Sequence, residues 1–153
     1  MPVINRVFFI DDDEDDCHIF SEALRQVSPD VLLKCINNYS LAIEEMSRFQ
    51  PELIFLDLNM PGKNGFECLQ ELKSHPVFKN IPVTVFSSSE YYKDIDKAYA
   101  SGATLYFAKP GTFEKLASSL KIILNMNWKE PAEITSRHLV NGRYLPFDAS
   151  VTG

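Results

Sequence analysis

The chain has 153 residues, 45% of them apolar, and its 21 acidic and 15 basic side chains leave a net charge of −6. One domain with a sizeable core fits that length. The acidic balance, with Lys and Arg scattered rather than in runs, argues against nucleic acid as a partner, and no apolar stretch is long enough for a leader or a membrane span.

Short apolar runs alternate with stretches of helical period. Val7-Phe8-Phe9-Ile10 is the first run and stops at Asp11. Cys17, Phe20, Leu24 and Val27 then share one helical stripe, with Asp13 as N-cap and Glu14-Asp15-Asp16 as the acidic first turn that a helix dipole favours. Val31-Leu32-Leu33 with Cys35 and Ile36 is the second run. Ile43, Met46 and Phe49 form the second stripe, with Ser40 as the expected cap. Leu53-Ile54-Phe55-Leu56 stops at Asp57 and leads, through Asn64-Gly65, into a stripe of Phe66, Leu69 and Leu72. Val83-Thr84-Val85-Phe86 stops at Ser87. Ile95, Ala98 and Tyr99 follow, facing inward, and leave Tyr91 or Tyr92 partly outward, before a stop at Ser101-Gly102. Thr104-Leu105-Tyr106-Phe107 runs into Ala108, Lys109 and Pro110. Phe113, Leu116, Ala117, Leu120, Ile123 and Leu124 then complete a fifth stripe behind Thr112.

Five strands alternating with five helices predict an α/β fold. It is a flavodoxin-like, doubly wound (βα)5 sandwich with a parallel sheet in the order 2-1-3-4-5. The domain is expected over residues 5–128, with residues 129–153 as a C-terminal tail without an output domain. In that tail Asn141-Gly142, between Leu139-Val140 and Tyr144-Leu145, carries a hairpin signal; the alternative is a mobile segment. An exposed Trp128, with Tyr144 and Phe147, favours a tail that packs on the fifth helix or extends a dimer interface over one that stays mobile. Cys17, Cys35 and Cys68 are odd in number, widely spaced and without a CxxC pair, and read as thiols of a reducing compartment. A cytoplasmic location is expected. His18, His75 and His138 show no metal spacing.

In such a sheet ligands bind beyond the carboxyl ends of the strands, at the switch point. The fold gathers Asp11, Asp12, Asp13, Asp57, Ser87 and Lys109 there. Carboxylates so close repel one another, and a hard divalent cation relieves the conflict; magnesium suits a few carboxylates and keeps sites for a phosphate. A nucleophile, a metal and an ammonium together define a phosphoryl-transfer site.

Four segments in order closely resemble the receiver domains of two-component response regulators. They are Phe8-Phe9-Ile10-Asp11-Asp12-Asp13, Leu56-Asp57-Leu58-Asn59-Met60-Pro61-Gly62, Val85-Phe86-Ser87-Ser88 and Gly102-Ala103 through Tyr106-Phe107-Ala108-Lys109-Pro110. The resemblance implies that Asp57 accepts a phosphoryl group from a sensor histidine kinase or a histidine phosphotransfer protein. It implies Mg2+ on Asp11, Asp12, Asp57 and the Asn59 carbonyl, and catalytic roles for Ser87 and Lys109 beside Asp57. A switch formed by Ser87 and Tyr106 and a cis bond at Lys109-Pro110 are implied too. Such a domain is no enzyme beyond handling its own phosphoryl group. It meets a downstream protein through the surface of the fourth helix, fifth strand and fifth helix, or passes the phosphoryl group on within a phosphorelay, and homodimers are possible. Ser88 stands where a small Ala is frequent, Lys63-Asn64-Gly65 where Asp often precedes the Gly, and Asn59 and Ser89 where phosphoryl lifetime is tuned.

A haloacid-dehalogenase-type enzyme would need a second aspartate two residues after Asp57, where Asn59 stands. A flavodoxin-like carrier would need a Gly/Ser/Thr-rich phosphate loop where Asp11 to Asp16 stand. A receiver that binds without phosphorylation is the third alternative, and every site residue it would have lost is intact.

Overall fold

Because side chains alternate across a strand, each apolar run supplies two cores at once. The fold, a computed structural model, is described for residues 4–59 and 64–149. Met60, Pro61 and Gly62 of the third-strand motif, and Lys63, lie outside the described residues. Strands β1 (Arg6–Ile10), β2 (Leu32–Ile36), β3 (Leu53–Leu56), β4 (Val83–Ser87) and β5 (Leu105–Ala108) form one parallel sheet in the order β2-β1-β3-β4-β5. Helices α1 (Glu14–Val27), α2 (Tyr39–Phe49), α3 (Gly65–Ser74), α4 (Tyr92–Ala100) and α5 (Phe113–Leu124) connect and follow them. Phe8, Ile10, Ile54, Leu56 and Val85 meet Met46, Leu69 and Leu72 on one face of the sheet. Val7, Phe9, Leu53, Phe55 and Phe86 meet Phe20, Leu24, Leu120 and Ile123 on the other. Each fully buried Phe or Leu contributes roughly 1.5–3 kcal/mol by leaving water.

The helix starts follow local chemistry. Asp13 Oδ1 accepts from the Asp15 N–H, Asn64 from the Phe66 N–H and Thr112 from the Lys115 N–H. α2 begins earlier than the sequence suggests: Asn38, not Ser40, is its cap, because the Asn38 carboxamide oxygen accepts from both the Ser40 N–H and the Ser40 hydroxyl.

Three further expectations are corrected. Cys17 on α1 and Cys35 on β2 form a disulfide, with Cα atoms 6.4 Å apart, and Cys68, outside that bond, is a buried cysteine. A separation of 18 residues hides the pairing, which arises because α1 packs back along β2. All described peptide bonds are trans, including Lys109–Pro110, and trans is the lower-energy form of an X–Pro bond. Trp128 is buried in the second core, and its indole N–H donates to the Ile123 carbonyl at 2.8 Å. The surface of α4, β5 and α5 also carries contacts from the residues that follow α5.

Residues beyond α5 form α6 (Pro131–Arg137) and an antiparallel hairpin of β6 (Leu139–Val140) and β7 (Arg143–Tyr144). Asn141 and Gly142 take φ of 53° and 79°, as a two-residue turn of this hand requires. This segment wraps the β5 edge. Tyr144 stacks on Tyr99 at one sheet face, with ring centroids 4.7 Å apart, and Phe147 joins the core of the other. In between, the Phe147 N–H donates to the Tyr106 carbonyl at 2.7 Å. The Tyr106 N–H donates to the Tyr99 hydroxyl, which donates to the Leu145 carbonyl, and the Thr135 hydroxyl donates to the Thr104 carbonyl. The outward polar groups of an edge strand need partners, and here the tail and the Tyr99 hydroxyl of α4 supply them.

Candidate functional site

Four strand ends converge at the carboxyl edge of the sheet. Asp11 follows β1, Asp57 follows β3, Ser87 ends β4 and Lys109 follows β5. Backbone pairing fixes the two aspartates: the Asp57 N–H donates to the Ile10 carbonyl at 2.9 Å and the Asp11 N–H to the Ile36 carbonyl at 3.0 Å. The Asp57 carboxylate accepts from the Asn59 N–H at 3.1 Å, and the Asp11 carboxylate from the Asp13 N–H at 2.9 Å. Gly65 lets α3 approach this loop; a Cβ there would stand 2.4 Å from the Leu58 Cα.

Asp11 and Asp57 are buried, whereas Asp12 is exposed, and each of the three offers a carboxylate oxygen within 4.8 Å of the others. Burial pushes the Asp11 carboxyl up to about 7, with the Asp57 charge adding to the shift. Burial also raises Asp57, against the Asn59 N–H and the Lys109 charge, which lower it. Two buried carboxylates facing one another are a poor resting arrangement for anions and a good one for a hard cation. The oxygen-only donor set therefore fits a divalent ion such as Mg2+ or Mn2+.

Lys109 reaches across these carboxylates. Its Nζ lies 3.8 Å from Asp57 Oδ2, 3.2 Å from Asp11 Oδ2 and 2.8 Å from Asp16 Oδ2. Burial opposes its charge, but the three carboxylates outweigh burial and raise its pKa. Its backbone N–H donates to the Ser87 carbonyl at 2.8 Å. The buried Ser87 hydroxyl oxygen accepts from the Ser89 N–H at 3.1 Å and from Asn59 Nδ2 at 3.4 Å. Tyr106 is wholly buried, and its hydroxyl donates to the Ser89 carbonyl at 2.8 Å, so its ring points inward. Asp13 caps α1 and holds no place in the carboxylate trio.

Two participants were missed in the sequence. Asp16 was absorbed into the acidic first turn of α1, although it stands one turn beyond the cap, where a side chain can turn back to the strand ends. Tyr39 donates its hydroxyl to the Asp57 carbonyl. Its signal was its place just past the second strand, at the same sheet edge.

A doubly wound sheet with an acidic pocket and one lysine at its switch point defines the receiver class of protein. The chain belongs to the response regulator receiver domain family, whose model matches residues 7–121. Among curated relatives it is 28% identical over 140 residues to the sensory transduction protein BceR of Halalkalibacterium halodurans, covering 90% of this chain and 58% of the relative. It is 28% identical over 131 residues to the DNA-binding response regulator MtrA of Mycolicibacterium smegmatis, covering 86% and 55%. The chain thus spans little more than half the length of these relatives. Among solved structures, the Mn2+-bound response regulator Rcp1 superposes with a TM-score of 0.70 at 25% identity, covering 80% of this chain and 96% of that one. The phosphorylated cyanobacterial phytochrome response regulator RcpA superposes with a TM-score of 0.70 at 30% identity, covering 78% and 91%. Among the described residues, no helix is long and apolar enough to cross a membrane.

Proposed function

We propose that this receiver accepts a phosphoryl group on Asp57 from a sensor histidine kinase or histidine phosphotransfer protein and signals through protein contact. The observation that carries the reading is the meeting of Asp11, Asp12 and Asp57 within 4.8 Å, with the Lys109 ammonium 3.8 Å from Asp57. Asp11, Asp12, Asp57 and the Asn59 carbonyl would hold Mg2+. A bound Mg2+ supplies charge neutralisation for the incoming phosphoryl oxygens.

An Asp57 carboxylate oxygen attacks phosphorus; the new P–O bond forms as the P–N bond to the donor imidazole breaks, and the bonding pair leaves on nitrogen. Lys109 balances charge on the transferred group, and the Asn59 N–H keeps the nucleophile oriented. Ser87 and Tyr106 then carry the signal. A phosphoryl oxygen accepts from the Ser87 hydroxyl, whose oxygen accepts from the Ser89 N–H, and the Ser89 carbonyl is the acceptor that holds the Tyr106 ring. Asn59 and Ser89 flank the same oxygen and set phosphoryl lifetime. The domain turns over only its own phosphoryl group.

The downstream protein meets the α4–β5–α5 surface as the tail has rebuilt it. Tyr91 and Tyr92 remain 51% and 50% exposed there, and the Arg143 guanidinium lies 5.3 Å from the Tyr92 ring. We place the reaction in the cytoplasm on the role of receiver domains and not on the Cys17–Cys35 bond, which a reducing thiol pool would open.

Intact mass after incubation with acetyl phosphate, with and without Mg2+, tests this on wild type and Asp57→Ala. One phosphoryl group gained only with metal, and absent from Asp57→Ala, is the expected result. No adduct on wild type, together with no uptake of beryllofluoride, would overturn it.

A further inference from the structure

Three carboxylates compete for one ammonium in this pocket, and the nearest belongs to neither Asp11 nor Asp57. Asp16 Oδ2 lies 2.8 Å from Lys109 Nζ, a full ångström closer than Asp57 Oδ2 at 3.8 Å. Asp16 is not occupied with its own helix: Asp13 Oδ1 serves the orphan N–H groups of Asp15 and Asp16, at 2.8 and 3.4 Å. Nor does it join the trio that would hold a cation. The next residue, Cys17, is bonded to Cys35, so the turn carrying Asp16 is anchored to the sheet.

We infer that Asp16 is a positioning residue for phosphoryl transfer, holding Lys109 back from Asp57 until a phosphoryl group draws the ammonium across. The inference rests on the acceptor reading of Asp57. Its physical basis is a difference in burial. The Asp16 side chain is 32% exposed and that of Asp57 only 5%. Water can therefore replace Lys109 at Asp16 but not at Asp57. A phosphoryl group adds up to two negative charges and three strong acceptors beside Asp57, which reverses the preference of the ammonium. Asp16 thereby sets how readily the phosphorylated form is reached.

The test compares Asp16→Asn with Asp16→Glu and with Asp15→Asn, a change of equal charge on an exposed residue of the same turn. Beryllofluoride affinity is measured at saturating Mg2+, and the Lys109 ε-carbon resonance is followed at fixed pH. Asp16→Asn is expected to bind beryllofluoride about fivefold more tightly than Asp15→Asn. It is also expected to move the Lys109 signal, which Asp15→Asn leaves in place; Asp16→Glu returns both to wild type. An unmoved Lys109 signal, or equal affinities for Asp16→Asn and Asp15→Asn, would overturn the inference. Wild type that takes up no beryllofluoride would overturn the acceptor reading instead, and the Lys109 signal alone would then decide whether Asp16 positions it.

Discussion

Tyr99 and Tyr106 share a hydrogen bond in which a side chain replaces a missing strand: the outward N–H of Tyr106 donates to the Tyr99 hydroxyl at 3.1 Å. The same hydroxyl donates to the Leu145 carbonyl at 2.9 Å, so one oxygen joins sheet, helix and tail. Burial raises the pKa of Tyr99, which keeps its proton and remains a donor. Tyr99→Phe leaves a buried N–H without a partner and should cost about 1–3 kcal/mol. Urea unfolding measures the loss. Amide exchange at Tyr106 and Phe147 should quicken together, and unchanged exchange at Phe147 would separate the tail from this contact.

Metal affinity should depend on pH with a sign set by Asp11. Its folded carboxyl titrates near 7 against an ordinary 3.8, so the metal-free folded chain holds more protons than the unfolded one between those values. Its contribution therefore makes metal-free stability fall as pH rises through that window. Binding a cation expels the proton, so Mg2+ affinity should climb with pH up to about 7 and level off above it. Mg2+ titrations from pH 5.5 to 8.5, as an experimental range of about three units around that value, would reveal the slope. Asp11→Asn should flatten the stability profile and abolish most of the binding; an affinity independent of pH would contradict the assignment.

Reducing Cys17–Cys35 opens a loop with a sequence separation of 18 and should lower unfolding free energy by about 3 kcal/mol. Guanidinium midpoints with and without dithiothreitol measure this. Cys17→Ser should match the reduced wild type and show no response to the reductant. Equal midpoints for oxidised and reduced wild type would count against the cross-link.

Thr84 sits wholly buried in β4, and its hydroxyl has no hydrogen-bond partner among the described residues. Thr84→Val keeps the shape and removes the orphan oxygen, so stability should rise by about 1 kcal/mol. A fall in the thermal midpoint would show that the hydroxyl is satisfied after all.

Much of this fold was legible because its signals are local. Each strand was an apolar run followed by a polar residue, and Asp13 and Thr112 capped helices where their spacing put them. The trio of Asp11, Asp12 and Asp57 was legible for another reason: the strand order alone carries residues that follow β1 and β3 to one edge. Contacts that depend on side-chain direction were not legible. Cys17 and Cys35 meet because of the way α1 lies on β2, and no spacing rule contains that. Asp16 looked like a helix-dipole residue because its partner Lys109 is 93 positions away. The tail was ambiguous for a third reason: its apolar residues serve two faces of one strand edge, so they follow neither helical nor strand period.

That wrapped edge also governs how this sheet can meet other sheets. A strand-to-strand stack grows only when each molecule offers two open edges, one to receive and one to extend. On the β5 side the Thr104 and Tyr106 backbone groups are already paired, while β2, bonded only to β1, is the other border. With the β5 border occupied by its own tail, the five-stranded sheet keeps only its β2 border open to strand pairing among the described residues, and one open border closes a pair instead of extending a stack.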